Sequence, residues 1–273
     1  MSRGMIHFWK MNGAGNDFVM LDNRDLRHQL TREQIAALCD RHRGVGADGL
    51  LAVEPAQNGA DFRMRYYNAD GGEAEMCGNG ARCFARFANL LSGWSMERVS
   101  FETPAGVIGA TCERDQVRIL MSEPHSLRTG LSLDVCGQQM TVHSVNTGVP
   151  HAMVVVDDLD SVPVRERGAA LRYHPEFQPK GTNANFLQAT PEGIAIRTYE
   201  RGVEDETLAC GTGMVACALV HHELTGTPSP VKVKVKGGDT LEIGFEKTAA
   251  GYRNVTLTGP ADIVFEGEIP LPG

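Results

Sequence analysis

Two stretches decide the fold of this chain: EAEMCGNGARCFARF at residues 73–87 and DETLACGTGMVACALV at residues 205–220. Each contains a cysteine, Cys77 or Cys210, followed by Gly-x-Gly and then by a run typical of a helix. The glycines allow the backbone to approach a ligand closely, and a helix that begins there directs its first N–H groups outward. The two copies predict a duplicated scaffold in which each half presents one thiol.

A second pair of landmarks has the same spacing as the two cysteines. The interval from Gly15 to Gly148 equals the interval from Cys77 to Cys210, and the surrounding segments NGAGNDFVMLD and NTGVPHAMVVVD are similar. Short apolar runs separated by turn residues predict antiparallel strands around each helix. We therefore predict an α+β fold of two pseudo-symmetric lobes, each a mostly antiparallel sheet wrapped on a central helix. The expected N-terminal lobe is 1–120 plus 262–273, and the C-terminal lobe is 121–261. A duplicated protein of this kind would place its site in the cleft between the lobes.

Local signals predict where individual helices begin and end. Thr31 and Gln34 form a capping box that starts a helix, and Gly44 is expected to end it. The helix of the second Cys-Gly-x-Gly stretch is expected at about residues 213–224, closed by Gly226.

Composition excludes several classes of protein. The chain has 273 residues, of which 42% are hydrophobic and 22% are charged, and its net charge is −8. No basic run interleaved with aromatic residues suggests a nucleic-acid surface. The longest apolar runs, such as AMVVV from Ala152, are too short to span a bilayer, and the first residues lack the apolar core of a signal peptide. We therefore expect no nucleic-acid partner, no membrane contact and a cytoplasmic location.

The seven cysteines fall into two groups. Their odd number and their spacings suggest no disulfide framework. Five of them are expected to be small, inert, buried side chains: Cys39, Cys83, Cys112, Cys136 and Cys217. Cys77 and Cys210 differ because a helix N-terminus stabilises an anion by about 0.3–1 kcal/mol, which favours a thiolate. Two thiols close together titrate as a coupled pair. One thiolate and one thiol is the state that two-sided proton transfer requires.

Three other kinds of site compete with this interpretation. The cysteine spacings differ from Cys-x2–4-Cys, and no histidine completes a zinc set, so we predict no metal. GVGADG at residues 44–49 fits Gly-x-Gly-x-x-Gly, but it ends a helix instead of following a strand, so the dinucleotide interpretation fails. A dithiol redox protein that uses Cys77 and Cys210 stays open, although the sequence contains no Cys-x-x-Cys.

The motifs GAGNDFVMLD, YYNADGGEAEMCGNGARC, GVPHAMVV, GTNANF and YERGVEDETLACGTG resemble diaminopimelate epimerase, in order and over essentially the whole chain. The resemblance implies a cofactor-independent, metal-free interconversion of LL- and meso-diaminopimelate that feeds lysine and peptidoglycan synthesis. It also implies two lobes that close on the substrate, and a homodimer. A racemase of another amino acid on the same scaffold is the alternative within enzymes.

The resemblance also assigns roles to residues. The catalytic thiols would be Cys77 and Cys210, and His151 and Glu200 would modulate their pKa values. The residues that would contact substrate are Asn16, Asn68, Gly78, Asn79, Asn183, Glu200, Arg201, Gly211 and Thr212. Phe265 matches an aromatic residue of the dimer contact. Two positions depart from the family pattern: Gly49 stands where a glutamine can contact substrate, and Val149 stands where an asparagine does. Neither can supply a side-chain hydrogen bond.

Overall fold

The computed structural model describes residues 4–74 and 76–273. Glu75, inside the first quoted stretch, lies outside the described residues. The chain divides into two compact units. The first comprises the chain up to Ile119 together with Gly259–Gly273, and the second is Leu120–Thr258.

The first unit contains eight strands and two helices within its described residues. They are β1 (Met5–Gly13), β2 (Asn16–Asp22), α1 (Arg32–Cys39), β3 (Gly49–Pro55), β4 (Phe62–Asn68), α2 (Gly78–Leu91), β5 (Arg98–Thr103), β6 (Gly106–Glu113), β7 (Gln116–Leu120) and β17 (Asp262–Pro270). The strands pair in the order β17, β1, β2, β3, β4, β5, β6, β7. The β2–β3 and β4–β5 pairs are parallel, and the others are antiparallel.

The second unit follows the same plan. Its elements are β8 (His125–Val135), β9 (Gln138–Asn146), β10 (Pro150–Val155), α3 (Val164–Arg172), a 3₁₀ turn (Pro175–Phe177), β11 (Asn183–Thr190), β12 (Gly193–Glu200), β13 (Asp205–Thr207), α4 (Gly211–Thr225), β14 (Val231–Lys234), β15 (Thr240–Thr248) and β16 (Gly251–Pro260). The strands pair in the order β8, β9, β10, β11, β12, β14, β15, β16, and β13 adds to β12. The β10–β11 and β12–β14 pairs are parallel, as at the corresponding places of the first unit.

The register of the parallel strands also repeats. Phe18 of β2 lies opposite Gly49 of β3, and His151 of β10 lies opposite Asn183 of β11. His151 follows Phe18 by the same interval that separates the two motif cysteines. The internal duplication predicted from the sequence therefore extends to individual strand positions.

Each unit wraps its sheet around one helix, as predicted. Helix α2 packs against β1 to β6, and its fully buried Phe84 and Phe87 lie in the core. Helix α4 packs against β9 to β12, β14 and β15. Its buried residues include all of Gly213–His221. A helix that is apolar on all sides is stable only inside a core. Neither these nor the other helices of the described residues are long and apolar enough to cross a membrane.

Two predicted helix ends are corrected by the structure. Thr31 and Gln34 form the expected capping box, but α1 ends at Cys39 and not at Gly44. The Asp40 side chain accepts the N–H groups of His42 and Arg43, both at 2.8 Å, and this local turn replaces further helical bonds.

Helix α4 begins at Gly211, before the predicted start at position 213, because Cys210 occupies the N-cap position in extended backbone conformation. Its predicted end is confirmed, since Gly226 caps the helix in the left-handed conformation at φ 73°. Strand β8 was not predicted. The side chains of its first half are mostly exposed and show no alternation, whereas Leu131, Leu133 and Val135 alternate with exposed residues, a strand signal that was missed.

Candidate active site

Both predicted catalytic cysteines occupy the N-cap positions of the central helices. Cys77 precedes α2 with φ −138° and ψ 124°, and Cys210 precedes α4 with φ −128° and ψ 109°. Neither side chain caps its own helix. Gly78 and Gly211 are the first helical residues, so each cysteine lies beside backbone N–H groups that have no partner within the helix. The equivalent placement follows from the duplicated sequence.

Close packing in the first unit holds the start of α2 against the end of β1. A Cβ atom at Gly13 would lie 2.7 Å from the carbonyl oxygen of Asn79 and 2.9 Å from the sulfur of Cys83. Only glycine permits this approach.

A chain of polar side chains then fixes Asn79. The buried Arg82 donates to the Asn79 Oδ1 at 2.9 Å, and also to the carbonyl oxygens of Gly13 at 3.1 Å and Pro260 at 3.3 Å. The Nδ2 of Asn79 donates to the Oδ1 of Asn16 at 2.7 Å, and the Nδ2 of Asn16 donates to Asp48 at 3.0 Å. Asn16 and Asn79, two predicted substrate contacts, are thus held together.

Asn68 and Gly49 lie opposite each other in the first unit. Asn68 is the exposed last residue of β4, and Gly49 begins β3. A Cβ atom at position 49 would lie 2.5 Å from the Tyr67 carbonyl oxygen and 2.9 Å from the Tyr66 ring. This crowding is a physical reason for glycine where the family pattern has a longer side chain.

In the second unit a connected set of side chains leads to Cys210. The Cys210 sulfur lies 3.6 Å from the hydroxyl of Thr212, and that hydroxyl lies 2.9 Å from the Nε2 of His151. The Nδ2 of Asn185 lies 3.1 Å from the Nδ1 of His151. Thr198 donates to the Oδ1 of Asn185 at 2.9 Å. His151, Asn185 and Thr198 are all buried.

The imidazole of His151 is held neutral. Burial, with a smaller contribution from the positive charge of Arg201, lowers its pKa from 6.5 to about 3. His151 therefore contributes at neutral pH as an uncharged hydrogen-bonding group.

Asn183, Glu200 and Arg201 lie together at the adjoining ends of β11 and β12. The Oδ1 of Asn183 accepts the backbone N–H of Arg201 at 2.8 Å, and its Nδ2 donates to the Pro150 carbonyl at 3.3 Å. The guanidinium of Arg201 donates to the Lys180 carbonyl at 3.0 Å. Burial raises the pKa of Glu200. Val149 precedes Pro150 and is half-buried.

The remaining cysteines are buried, with one exception. Burial raises the pKa of Cys83 to about 12, that of Cys39 to about 11, and those of Cys112 and Cys217 as well. Cys136 was expected to be buried, but it is exposed in the turn between β8 and β9 at φ 54°. The turn geometry, and not the apolar character of the thiol, decides its place.

The predicted dimer residue Phe265 lies on β17, where 48% of its surface is exposed. Its ring makes an edge contact with Phe8 at a centroid distance of 6.0 Å. Within the described residues no three His, Cys, Asp or Glu side chains form a group that could hold a metal ion.

Four residues of these networks were missed in the sequence: Asp48, Arg82, Asn185 and Thr198. Asn185 was detectable, because it lies two positions after Asn183 on the same face of β11. Arg82 was detectable as the residue three positions after Asn79 on one side of α2. Asp48 and Thr198 carry no sequence signal of this kind.

Comparison with known sequences agrees with the motifs. The family profile described as diaminopimelate epimerase matches residues 8–127 and 143–264. A diaminopimelate epimerase from Chlorobaculum tepidum is 45% identical over 265 residues, which cover 96% of this chain and 100% of that protein. One from Aquifex aeolicus is 44% identical over 278 residues, which cover 97% of this chain and 98% of that protein.

Solved structures share the fold at lower identity. A PhzF-family phenazine biosynthesis protein from Bacillus anthracis has a TM-score of 0.74 at 15% identity, with 97% of this chain and 99% of that chain covered. A hydroxyproline epimerase from Agrobacterium vitis has a TM-score of 0.67 at 19% identity, with coverage of 98% and 93%. These structures support the fold, and the predicted fold class is confirmed. From the family profile and the full-length relatives, we conclude that the chain belongs to the diaminopimelate epimerase family and is an isomerase.

Proposed function

We propose that the protein interconverts LL-2,6-diaminopimelate and meso-diaminopimelate without a cofactor, with Cys77 and Cys210 as acid and base. The observation that carries this proposal is the equivalent placement of the two thiols, each at the N-cap of the central helix of its unit. Inversion of a carbon that bears an acidic hydrogen needs one group to remove the proton and another to deliver a proton to the opposite face.

In the proposed reaction, the thiolate of one cysteine removes the α-proton and becomes a thiol. The electron pair stays on the α-carbon and is delocalised into the adjacent carboxylate. The thiol of the other cysteine then donates its proton from the opposite face and becomes the thiolate. The N–H groups at the starts of α2 and α4 and the guanidinium of Arg201 would stabilise the charge that develops on the carboxylate.

Substrate recognition is assigned to residues of both units. In the first unit these are Asn16, Asn68, Gly78 and Asn79. In the second unit they are Asn183, Glu200, Arg201, Gly211 and Thr212. Amide, carboxylate and guanidinium groups match the charged ammonium and carboxylate groups of an amino acid. The two units would act as the N-terminal and C-terminal catalytic lobes expected from the sequence.

The proposal includes a homodimer in the cytoplasm that supplies lysine and peptidoglycan synthesis, without nucleic-acid or membrane partners. The exposed Phe265 and its exposed neighbour Val264 on β17 support an interface there. Sedimentation of the wild type and of Phe265→Ser tests it. We expect a dimer for the wild type and dissociation at higher concentration for the variant. A monomeric wild type would refute the dimer.

The test of the activity is turnover of LL-diaminopimelate in deuterated water by purified, reduced protein, with no pyridoxal phosphate or metal added. We expect meso product with one solvent deuterium at the inverted carbon, while unreacted substrate stays almost unlabelled, because the opposite thiol exchanges with solvent before it donates. Protium retained in the product at the initial rate would refute the two-base mechanism. Turnover of proline or hydroxyproline in place of diaminopimelate would favour a racemase of another amino acid.

A further inference from the structure

The buried amide of Asn185 has only one orientation that satisfies its neighbours. Its Nδ2 lies 3.1 Å from the carbonyl oxygen of Ala152, which can only accept a hydrogen bond. The same nitrogen lies 3.1 Å from the Nδ1 of His151. Its Oδ1 accepts the Thr198 hydroxyl at 2.9 Å. The amide therefore donates one hydrogen to Ala152 and the other to His151.

This orientation determines the tautomer of His151. Because the Nδ1 accepts a hydrogen from Asn185, the proton of the neutral ring lies on Nε2. The ring is neutral because its burial strongly disfavours the imidazolium. The Nε2–H then points to the Thr212 hydroxyl at 2.9 Å and donates to its oxygen.

The tautomer in turn determines what Thr212 offers to Cys210. A hydroxyl has one hydrogen, and the imidazole does not accept it in this tautomer. The hydrogen is directed to the other neighbour, the Cys210 sulfur at 3.6 Å. A donor aimed at sulfur stabilises the thiolate relative to the thiol.

We infer that Asn185 is a positioning residue: it selects the Nε2–H tautomer of His151 and thereby directs the Thr212 hydroxyl hydrogen onto the Cys210 sulfur. The inference deepens the proposed function, since it matters for catalysis only if Cys210 acts as acid and base. It assigns to Asn185 a role in the reaction without contact with substrate.

The decisive variant is Asn185→Asp, which keeps the shape of the side chain but can only accept when ionised. The carboxylate accepts the Nδ1–H of His151, so the ring changes to the other tautomer. Its bare Nε2 then accepts the Thr212 hydroxyl hydrogen, and Cys210 loses its donor. Thr198→Val is the matched control, because it disturbs the same buried group but leaves the Asn185 amide oriented by Ala152.

The first measurement is the long-range ¹H–¹⁵N spectrum of ¹⁵N-histidine-labelled protein without substrate, with the His151 signals assigned by their loss in His151→Gln. We expect the Nε2–H tautomer in the wild type and in Thr198→Val, and the Nδ1–H tautomer in Asn185→Asp. An Nδ1–H tautomer in the wild type would overturn the inference, and it would leave the proposed function untouched.

The second measurement follows the thiolate of Cys210 by peptide-resolved alkylation across pH. We expect the midpoint for Cys210 to rise in Asn185→Asp and to stay unchanged in Thr198→Val, with the exposed Cys136 as internal reference. Epimerisation should fall about 10- to 100-fold in Asn185→Asp, the range for loss of a hydrogen bond to a charged group. Equal midpoints in all three proteins would overturn the inference. Full activity of Cys210→Ala would instead refute the proposed function.

Discussion

The backbone places the two thiols in equivalent positions, but the side chains behind them differ. Phe18 in the first unit and His151 in the second occupy the same register position of their parallel strands. Two residues further along the neighbouring strand stand Leu51 and Asn185. A Cβ atom at Gly80 of α2 would touch Leu51 and Phe18 at 3.4 Å, whereas one at Gly213 of α4 would lie 2.5 Å from the Oδ1 of Asn185. Cys77 is thus backed by an apolar pair and Cys210 by a polar pair.

Duplication therefore preserved the scaffold while the local environment of each thiol diverged. A hydroxyl hydrogen-bonded to a buried imidazole can donate to a thiolate, and Cys210 has such a hydroxyl beside it in Thr212. A cysteine at the start of a helix can therefore be held as a thiol or as a thiolate, depending on the side chains behind it. A reaction that needs one thiol and one thiolate benefits from such an asymmetry.

The largest effect on activity is expected from removing the thiol of either unit. We expect either Cys77→Ala or Cys210→Ala to lower epimerisation by about 10²- to 10⁴-fold, because a positioned acid or base contributes that much to rate. The two groups act in series, so neither can replace the other. Rates with LL- and meso-diaminopimelate provide the measurement. Cys83→Ala is the control, since its thiol is fully buried, and it should retain most of the activity.

A matched pair of helix substitutions tests the layer behind each thiol. At Gly80 an added methyl group would meet ordinary van der Waals contacts, so Gly80→Ala should leave activity within about twofold and stabilise the helix by up to ~1 kcal/mol. At Gly213 it would displace Asn185, so Gly213→Ala should cost about 1–3 kcal/mol of stability. It should also lower activity about tenfold. Equal effects of the two substitutions on kcat would contradict the comparison.

Arg82 provides a further difference between the units, because Val215 stands at the corresponding position of the second Cys-Gly-x-Gly helix. The buried Arg82 donates to Asn79, Gly13 and Pro260. Arg82→Met would leave several buried acceptors without donors, at about 1–3 kcal/mol for each unsatisfied group. We expect a lower melting temperature and weaker substrate binding through Asn79. In Arg27→Met, which breaks an exposed ion pair with Asp25, the melting temperature should hardly change.

A pH dependence that arises in the second unit tests the buried imidazole behind Cys210. His151 takes up a proton near pH 6.5 when unfolded, but in the folded protein only near pH 3. The folded state therefore loses stability as the pH falls from 6.5 towards 3, by at most about 1.4 kcal/mol per pH unit. Melting temperatures of His151→Gln should fall less steeply over this range than those of the wild type. His125→Gln, at an exposed position, should follow the wild type. If the melting temperatures of all three proteins fell equally with pH, the lowered pKa of His151 would be contradicted.

Much of the fold was predictable from local signals in the sequence. The repeated Cys-Gly-x-Gly stretches and the equal spacing of two landmark pairs predicted two similar units, each with a central helix. Capping residues such as Thr31 and the glycine at position 226 marked helix boundaries correctly, because their hydrogen bonds and backbone conformations involve near neighbours only. Strand β8 was not predicted, because its first half is mostly exposed and the alternation of Leu131, Leu133 and Val135 covers only its end.

The residues of the candidate site likewise fall into those that a local motif predicts and those that only long-range packing brings together. Cys77 and Cys210 were predicted because the motif itself begins the helix. Folding brought Asn185, Thr198 and His151 into one buried group, and Arg82 onto the first turn of α2. Parallel strand register and the burial of polar groups join residues that are far apart in the chain, and no local pattern encodes which partner will satisfy a buried amide or guanidinium. The motifs alone established where the thiols stand in the chain and on their helices, whereas long-range packing behind each helix established what surrounds them.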